Sequence, residues 1–64
     1  MRDFKRELTD DMQDQNVVKL DMRTTAPFEI KGVVTGVHGE SFTIESYQQT
    51  FTRPISDILH YRLA

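Results

Sequence analysis

Ser56, Asp57 and His60 stand within five residues of one another, and a hydroxyl, a carboxylate and an imidazole that close invite a catalytic reading. A nucleophile and its base are brought together by the geometry of a fold, and clustering along the chain does not supply that geometry. Ser56 or Asp57 also has a simpler use, as the cap of a short helical turn. His38 and His60 are the only two histidines, and cysteine is absent. A zinc site generally gathers three or four convergent ligands, so a histidine in a turn and another on a strand lead to no expected metal. Gly32, Gly36 and Gly39 are not followed by a helix, as a phosphate-cradling loop requires. The chain is therefore expected to be no enzyme and to carry no cofactor.

Binding chemistry is what remains. Lys19, Arg23, Lys31 and Arg53 are the cations that could meet phosphates, and Tyr47, Tyr61 and Phe51 are rings that could stack on bases. Lys19 and Arg23 share the outer face of one expected strand, interleaved with Asp21 and facing a chain that also carries Glu29, the pattern of a solvated surface. Phe51 reads as core, and Tyr47 as a cover over one end of the fold. The chain has 8 Lys+Arg against 10 Asp+Glu, a net charge of −2, so no strongly basic surface exists overall. The excess acid is local. Residues 1–16 hold Arg2, Lys5 and Arg6 against Asp3, Glu7, Asp10, Asp11 and Asp14, whereas residues 17–64 carry equal numbers of each sign. Only an assembly of copies could concentrate the four cations into a phosphate-binding surface.

Sixty-four residues make one domain, 1–64, and a domain this short buries only ~60% of the surface its unfolded chain exposes. The absence of cysteine fits a reducing compartment. Met1 to Glu7 lacks the apolar run of a signal peptide, and no stretch approaches the ~20 apolar residues of a membrane span. A cytoplasmic protein with no membrane partner is the expectation.

Phe4, Leu8 and Met12 recur every four residues, which predicts an amphipathic helix over 3–15, with Asp3 as its cap. Asp10, Asp11 and Asp14 sit toward its C-terminal end, where the helix dipole disfavours them. Such a helix is expected to persist only by docking Phe4 and Leu8, as a lid. From Val17 the pattern changes to alternation, with Val18, Leu20 and Met22 on one face. After a connection at Thr24–Pro27, Phe28, Ile30 and Val34 share a face, and Phe42 and Ile44 repeat that spacing beyond a turn at His38-Gly39. A glycine inside a strand marks a bulge, a bend or the close approach of another backbone, which places a sharp bend at Gly32. Thr50–Arg53 resumes a strand that Pro54 interrupts. Ile55–Ile58 reads as a turn of helix, and Ile58–Leu63 alternates again, with Leu59, Tyr61 and Leu63 opposite Ile58, His60 and Arg62. One helix and five short strands suggest a mainly β protein whose strands, over 17–63, close into a strongly bent, SH3-like barrel to hide their edges.

The order of helix, strand, long glycine-bent strand, strand, short strand, helical turn and last strand resembles the Sm-like proteins, and among them the bacterial Hfq family. Gly32 falls where the first Sm motif has its glycine. Phe51-Thr52-Arg53-Pro54-Ile55-Ser56-Asp57-Ile58 is similar to the Tyr-Lys-His-Ala-Ile-Ser-Thr-Ile run of that family, sharing Ile55, Ser56 and Ile58. Arg53 to Leu59 is also similar to the Ser-Asp-Ile-Leu type ending of the YolD-like family. The Sm-like resemblance implies nucleic-acid binding, RNA in particular, and assembly with further copies. Thr52-Arg53 stands where the family has Lys-His, and His38-Gly39-Glu40 where the family's turn supplies a stacking ring. The implied binding is thus weak and of low sequence preference, with Arg53, Thr52, Lys31, Lys19, Arg23 and Tyr47 as its site residues. An SH3-like fold that meets another protein, without nucleic acid, is the alternative.

Overall fold

Asp3 opens the chain that the computed structural model describes, residues 3–64, with Met1 and Arg2 outside the described residues. Its carboxylate accepts from the Arg6 backbone N–H at 3.1 Å and caps α1, Phe4–Asp14, satisfying one of the donors that a helix start leaves unpaired. The stripe anticipated along α1 is the face that docks. Leu8 is fully buried, and Phe4 and Met12 pack against the same core. Burying a leucine contributes about 1.5–3 kcal/mol, which is what holds a helix whose last turn has acids and no base. Tyr61 fastens it further, donating its hydroxyl to the Glu7 carbonyl at 3.2 Å and to the Asp11 carboxylate, while its ring lies 6.0 Å from that of Phe4.

Five strands follow: β1 (Val17–Met22), β2 (Glu29–His38), β3 (Ser41–Ser46), β4 (Gln49–Pro54) and, after a 3-10 turn at Ile55–Asp57, β5 (Ile58–Leu63). They form one antiparallel sheet in the order β4-β3-β2-β1-β5. The core side of the sheet carries Val18, Leu20, Met22, Ile30, Val34, Phe42, Ile44, Ile58 and Tyr61. β2 is the shared strand. Its first half pairs with β1 from Glu29 to Val33, and its second half pairs with β3 from Val33 to His38.

Gly32 sits at that handover. A Cβ placed on it would overlap the Glu45 carbonyl oxygen and come within 2.8 Å of the carbonyl carbon, so a close backbone approach, one of the three meanings of a strand glycine, is present; the irregularity in the β2–β3 register lies further on, between Val34 and Gly36. Ser46 locks the same place by donating to the Lys31 carbonyl at 2.7 Å. The hairpin after β2 turns through Gly39-Glu40, with His38 opposite Ser41. Gly39 has φ +60, the region that favours glycine.

The sheet is not closed. β4 and β5 stand at its two ends and do not pair, where five strands alone had led to an expected barrel. The chain leaves β4 at Pro54, and Ile55 N–H donates to the Glu40 carbonyl at 2.8 Å. That bond anchors the exit of β4 beside the β2–β3 turn, and the 3-10 turn then carries the chain to the far side of β1. Three local readings also shift. Phe28 precedes β2 and is 58% exposed, not core. Asp57 caps nothing; its Oδ1 accepts from the Thr24 hydroxyl at 2.7 Å. Tyr61 and Ile58 are the buried residues of β5, because the register slips between Asp21 and Met22.

Candidate functional site

Cross-strand register decides which cations meet. Lys19 on β1 lies opposite Lys31 on β2 and opposite Arg62 on β5. Neighbouring strands are about 4.8 Å apart, so three positive side chains cross the outer face of the sheet in one row. The next row along is acidic, with Asp21 opposite Glu29 on one side and His60 on the other. Two diagonal ion pairs join the rows: Lys19 Nζ to Glu29 Oε1 and Arg62 Nη1 to Asp21 Oδ2, each at 3.6 Å. Exposed pairs of this length contribute about 0–1 kcal/mol, so a phosphate can compete for either cation. Lys31 is exposed and holds no ion pair among the described residues.

The row leads toward the β3–β4 turn. Ser46, bonded to the Lys31 carbonyl, ends β3, and Tyr47-Gln48 make a two-residue turn before Gln49 pairs back with Ser46. Tyr47 is 89% exposed and holds φ +58. A left-handed backbone costs an L-residue roughly 1–2 kcal/mol, and this turn places a solvated aromatic ring there in place of glycine. Beside it runs a groove of about 770 Å³, lined by Pro27, Ile30, Ser46, Tyr47, Gln48 and Phe51 among others. It offers two aromatic rings, side-chain amides with both donors and acceptors, and the carboxylate of Glu29, which pairs with Lys19.

The other expected site residues lie elsewhere. Arg53 is half-buried; its guanidinium donates to the Ala26 carbonyl at 3.2 Å and the Thr52 carbonyl at 3.0 Å, and it lies 5.4 Å from the centre of the Phe51 ring. Thr52 points to the opposite face, as successive strand residues must, and its hydroxyl is 3.2 Å from that of Thr43. Thr52 and Arg53 thus cannot present their side chains together. Arg23 follows the end of β1; its backbone N–H donates to the Asp57 carbonyl at 2.9 Å and its guanidinium to the Ser56 carbonyl at 3.4 Å. Arg23, Thr24, Arg53 and Asp57 together pin the connection between β1 and β2. Ser56, Asp57 and His60 are engaged separately, with the Asp57 carboxylate on Thr24 and His60 opposite Asp21. No group of three or more His, Asp or Glu side chains among the described residues is arranged to hold a metal ion.

Arg62 is the residue that reading the sequence for cations missed. Its outward position in the alternation of Ile58–Leu63 was visible, but its neighbours were not, since they depend on register. The chain matches no protein-family model, no curated protein and no solved structure. No helix among the described residues is long and apolar enough to cross a membrane.

Proposed function

We propose that this chain is a small Sm-like module that binds single-stranded nucleic acid, RNA in particular, weakly and with little sequence preference. The observation that supports this best is the row Arg62–Lys19–Lys31 leading to the exposed ring of Tyr47. Phosphates lie along the row, and a base stacks on Tyr47 with its edge toward the amides of Gln48 and Gln49. The reading moves the site away from Thr52 and Arg53, the positions the Sm-like resemblance points to. Weakness follows from the numbers. Three cations displace few counterions, and two of the three already have carboxylates beside them. The resemblance and the lack of cysteine favour a cytoplasmic setting.

The test is anisotropy with a short labelled mixed-sequence RNA across a salt series. Three neutralised phosphates give a log–log slope of about −2 for a single strand. Lys31→Ala flattens that slope, and Tyr47→Ala weakens binding by about 1–3 kcal/mol, the value of one stacked base. Binding that ignores both substitutions would overturn the proposal. The alternative is a module that meets another protein without nucleic acid.

A further inference from the structure

Glu29 belongs to two places at once. It stands on the outer face of β2, two residues before Lys31 and so about 6.6 Å from it along the strand, and its Oε1 lies 3.6 Å from Lys19 Nζ. The same residue lines the groove beside Tyr47, with Gln48, Gln49 and Phe51. Of the residues that line that groove it is the only charged one. Asp21, the other acid of its row, is paired with Arg62 and lies outside the groove lining. Glu29 therefore joins the cation row to the stacking ring.

In a nucleotide the ribose separates the phosphate from the base. With phosphates on Lys19 and Lys31 and a base on Tyr47, the sugar falls where Glu29 is. A carboxylate there opposes nucleic acid in general, since it repels phosphate and has no proton to give. Occupation of the row sharpens the conflict, because a phosphate that takes Lys19 leaves Glu29 without its cation. A donor on the sugar resolves it. RNA carries one, the 2′-hydroxyl, and DNA lacks it. The Glu29 side chain is 60% exposed, so its carboxylate has room to turn toward the sugar, and a carboxylate on a ribose hydroxyl is a pairing that dinucleotide sites also use.

We infer that Glu29 is the residue by which this site tells RNA from single-stranded DNA, accepting a hydrogen bond from the 2′-hydroxyl of the nucleotide whose base stacks on Tyr47. The inference rests on the proposed RNA site and sharpens it, because it concerns the sugar and leaves base preference low. The amides of Gln48 and Gln49 meet any base edge, as each both donates and accepts. To a DNA strand Glu29 offers repulsion alone. To an RNA strand it offers a charge-assisted bond, the stronger kind.

The probe is one oligonucleotide of adenine, cytosine and guanine, made as RNA, as DNA and as 2′-O-methyl RNA, read by anisotropy at low salt with a thermal melt of every variant. The 2′-O-methyl strand keeps the sugar shape of RNA and loses the donor. The wild type binds RNA roughly three- to tenfold more tightly than either of the others, the value of one hydrogen bond. Glu29→Ala, an exposed change that spares the core, tightens DNA binding and brings the three strands together. Glu29→Gln removes the repulsion but keeps an acceptor, so it tightens DNA binding as well and retains part of the preference for RNA. Equal binding of RNA and DNA by the wild type, equal binding of RNA and 2′-O-methyl RNA, or a preference that survives Glu29→Ala, each with binding still weakened by Tyr47→Ala, overturns the inference and leaves the RNA site in place. RNA binding that ignores both Tyr47→Ala and Lys31→Ala overturns the site, and this inference with it.

Discussion

Tyr47→Gly separates stability from binding at a single position. Tyr47 holds φ +58 at the first position of a two-residue turn and is 89% exposed. Relieving the left-handed backbone gains roughly 1–2 kcal/mol. The greater freedom of glycine in the unfolded chain takes back about 0.4–1 kcal/mol. Almost no buried area is lost with the ring. The net is a gain of about 0.5–1 kcal/mol, which in a domain of this size raises Tm by roughly 2–8 °C. The same change removes the stacking platform, and a stacked base is worth about 1–3 kcal/mol, so RNA affinity falls by about five- to 150-fold. Thermal melts by circular dichroism and anisotropy on one preparation read both effects. A lowered Tm would show that the ring packs against the turn. A raised Tm with unchanged affinity would show that the ring is strained without touching nucleic acid, and the proposed site would fall.

Gly32→Val drives a side chain into the Glu45 carbonyl, a backbone atom that cannot step aside, and is expected to lower stability by roughly 1–3 kcal/mol or more in urea denaturation; an unchanged midpoint would mean the approach of β2 and β3 is misplaced. Tyr61→Phe removes the hydroxyl that ties β5 to Glu7 and Asp11, with an expected loss of about 1.5–3 kcal/mol because one acceptor is charged. Leu8→Ala empties the contact between α1 and the sheet and costs about 2–5 kcal/mol, read as a lowered Tm. Arg53→Ala and Lys31→Glu exchange roles: the first lowers Tm with little change in RNA affinity, and the second abolishes salt-dependent RNA binding with little change in Tm. The opposite pattern in that pair would return the site to Arg53.

Much of the fold was legible because it is local. Alternation at Val18, Leu20 and Met22, the stripe Phe4–Leu8–Met12 and the cap at Asp3 each depend on residues near in the chain, and each is present. Gly32 was legible for another reason: a glycine between Ile30 and Val34 is an expensive choice in a strand unless something must come close. Where the reading failed, a distant residue or a slip in period was at work. Phe28 matched the spacing of Ile30 and Val34, but β2 begins one residue later, and Phe28 is held by its carbonyl, which accepts from Met22 N–H at 2.7 Å. Leu59 and Leu63 matched Tyr61, but the slip at β5 and the missing neighbour on its open side leave them exposed.

The site shows the same division more sharply. Arg53 drew notice as the one cation in a segment with a family resemblance, yet a cation in a strand is available only if nothing nearby needs it. The carbonyl of Ala26 and the ring of Phe51 both take it up, and neither demand is visible without knowing how the connection before β2 folds back on β4. Lys19 and Lys31 looked dispersed, and Arg62 was passed over, for the complementary reason. Nothing in their spacing along the chain relates them; antiparallel register alone sets them side by side. Lys19 and Arg62 each pair with an acid of the next row, whereas Lys31 holds no ion pair among the described residues; under the proposed function a phosphate would displace those exposed pairs at small cost. A one-residue slip of β1 against β2 would turn Lys19 inward and destroy both the core and the row. The burial of Val18, Leu20 and Met22 is therefore what holds the cations in line, and a test of the site that disturbs those residues would measure the fold instead.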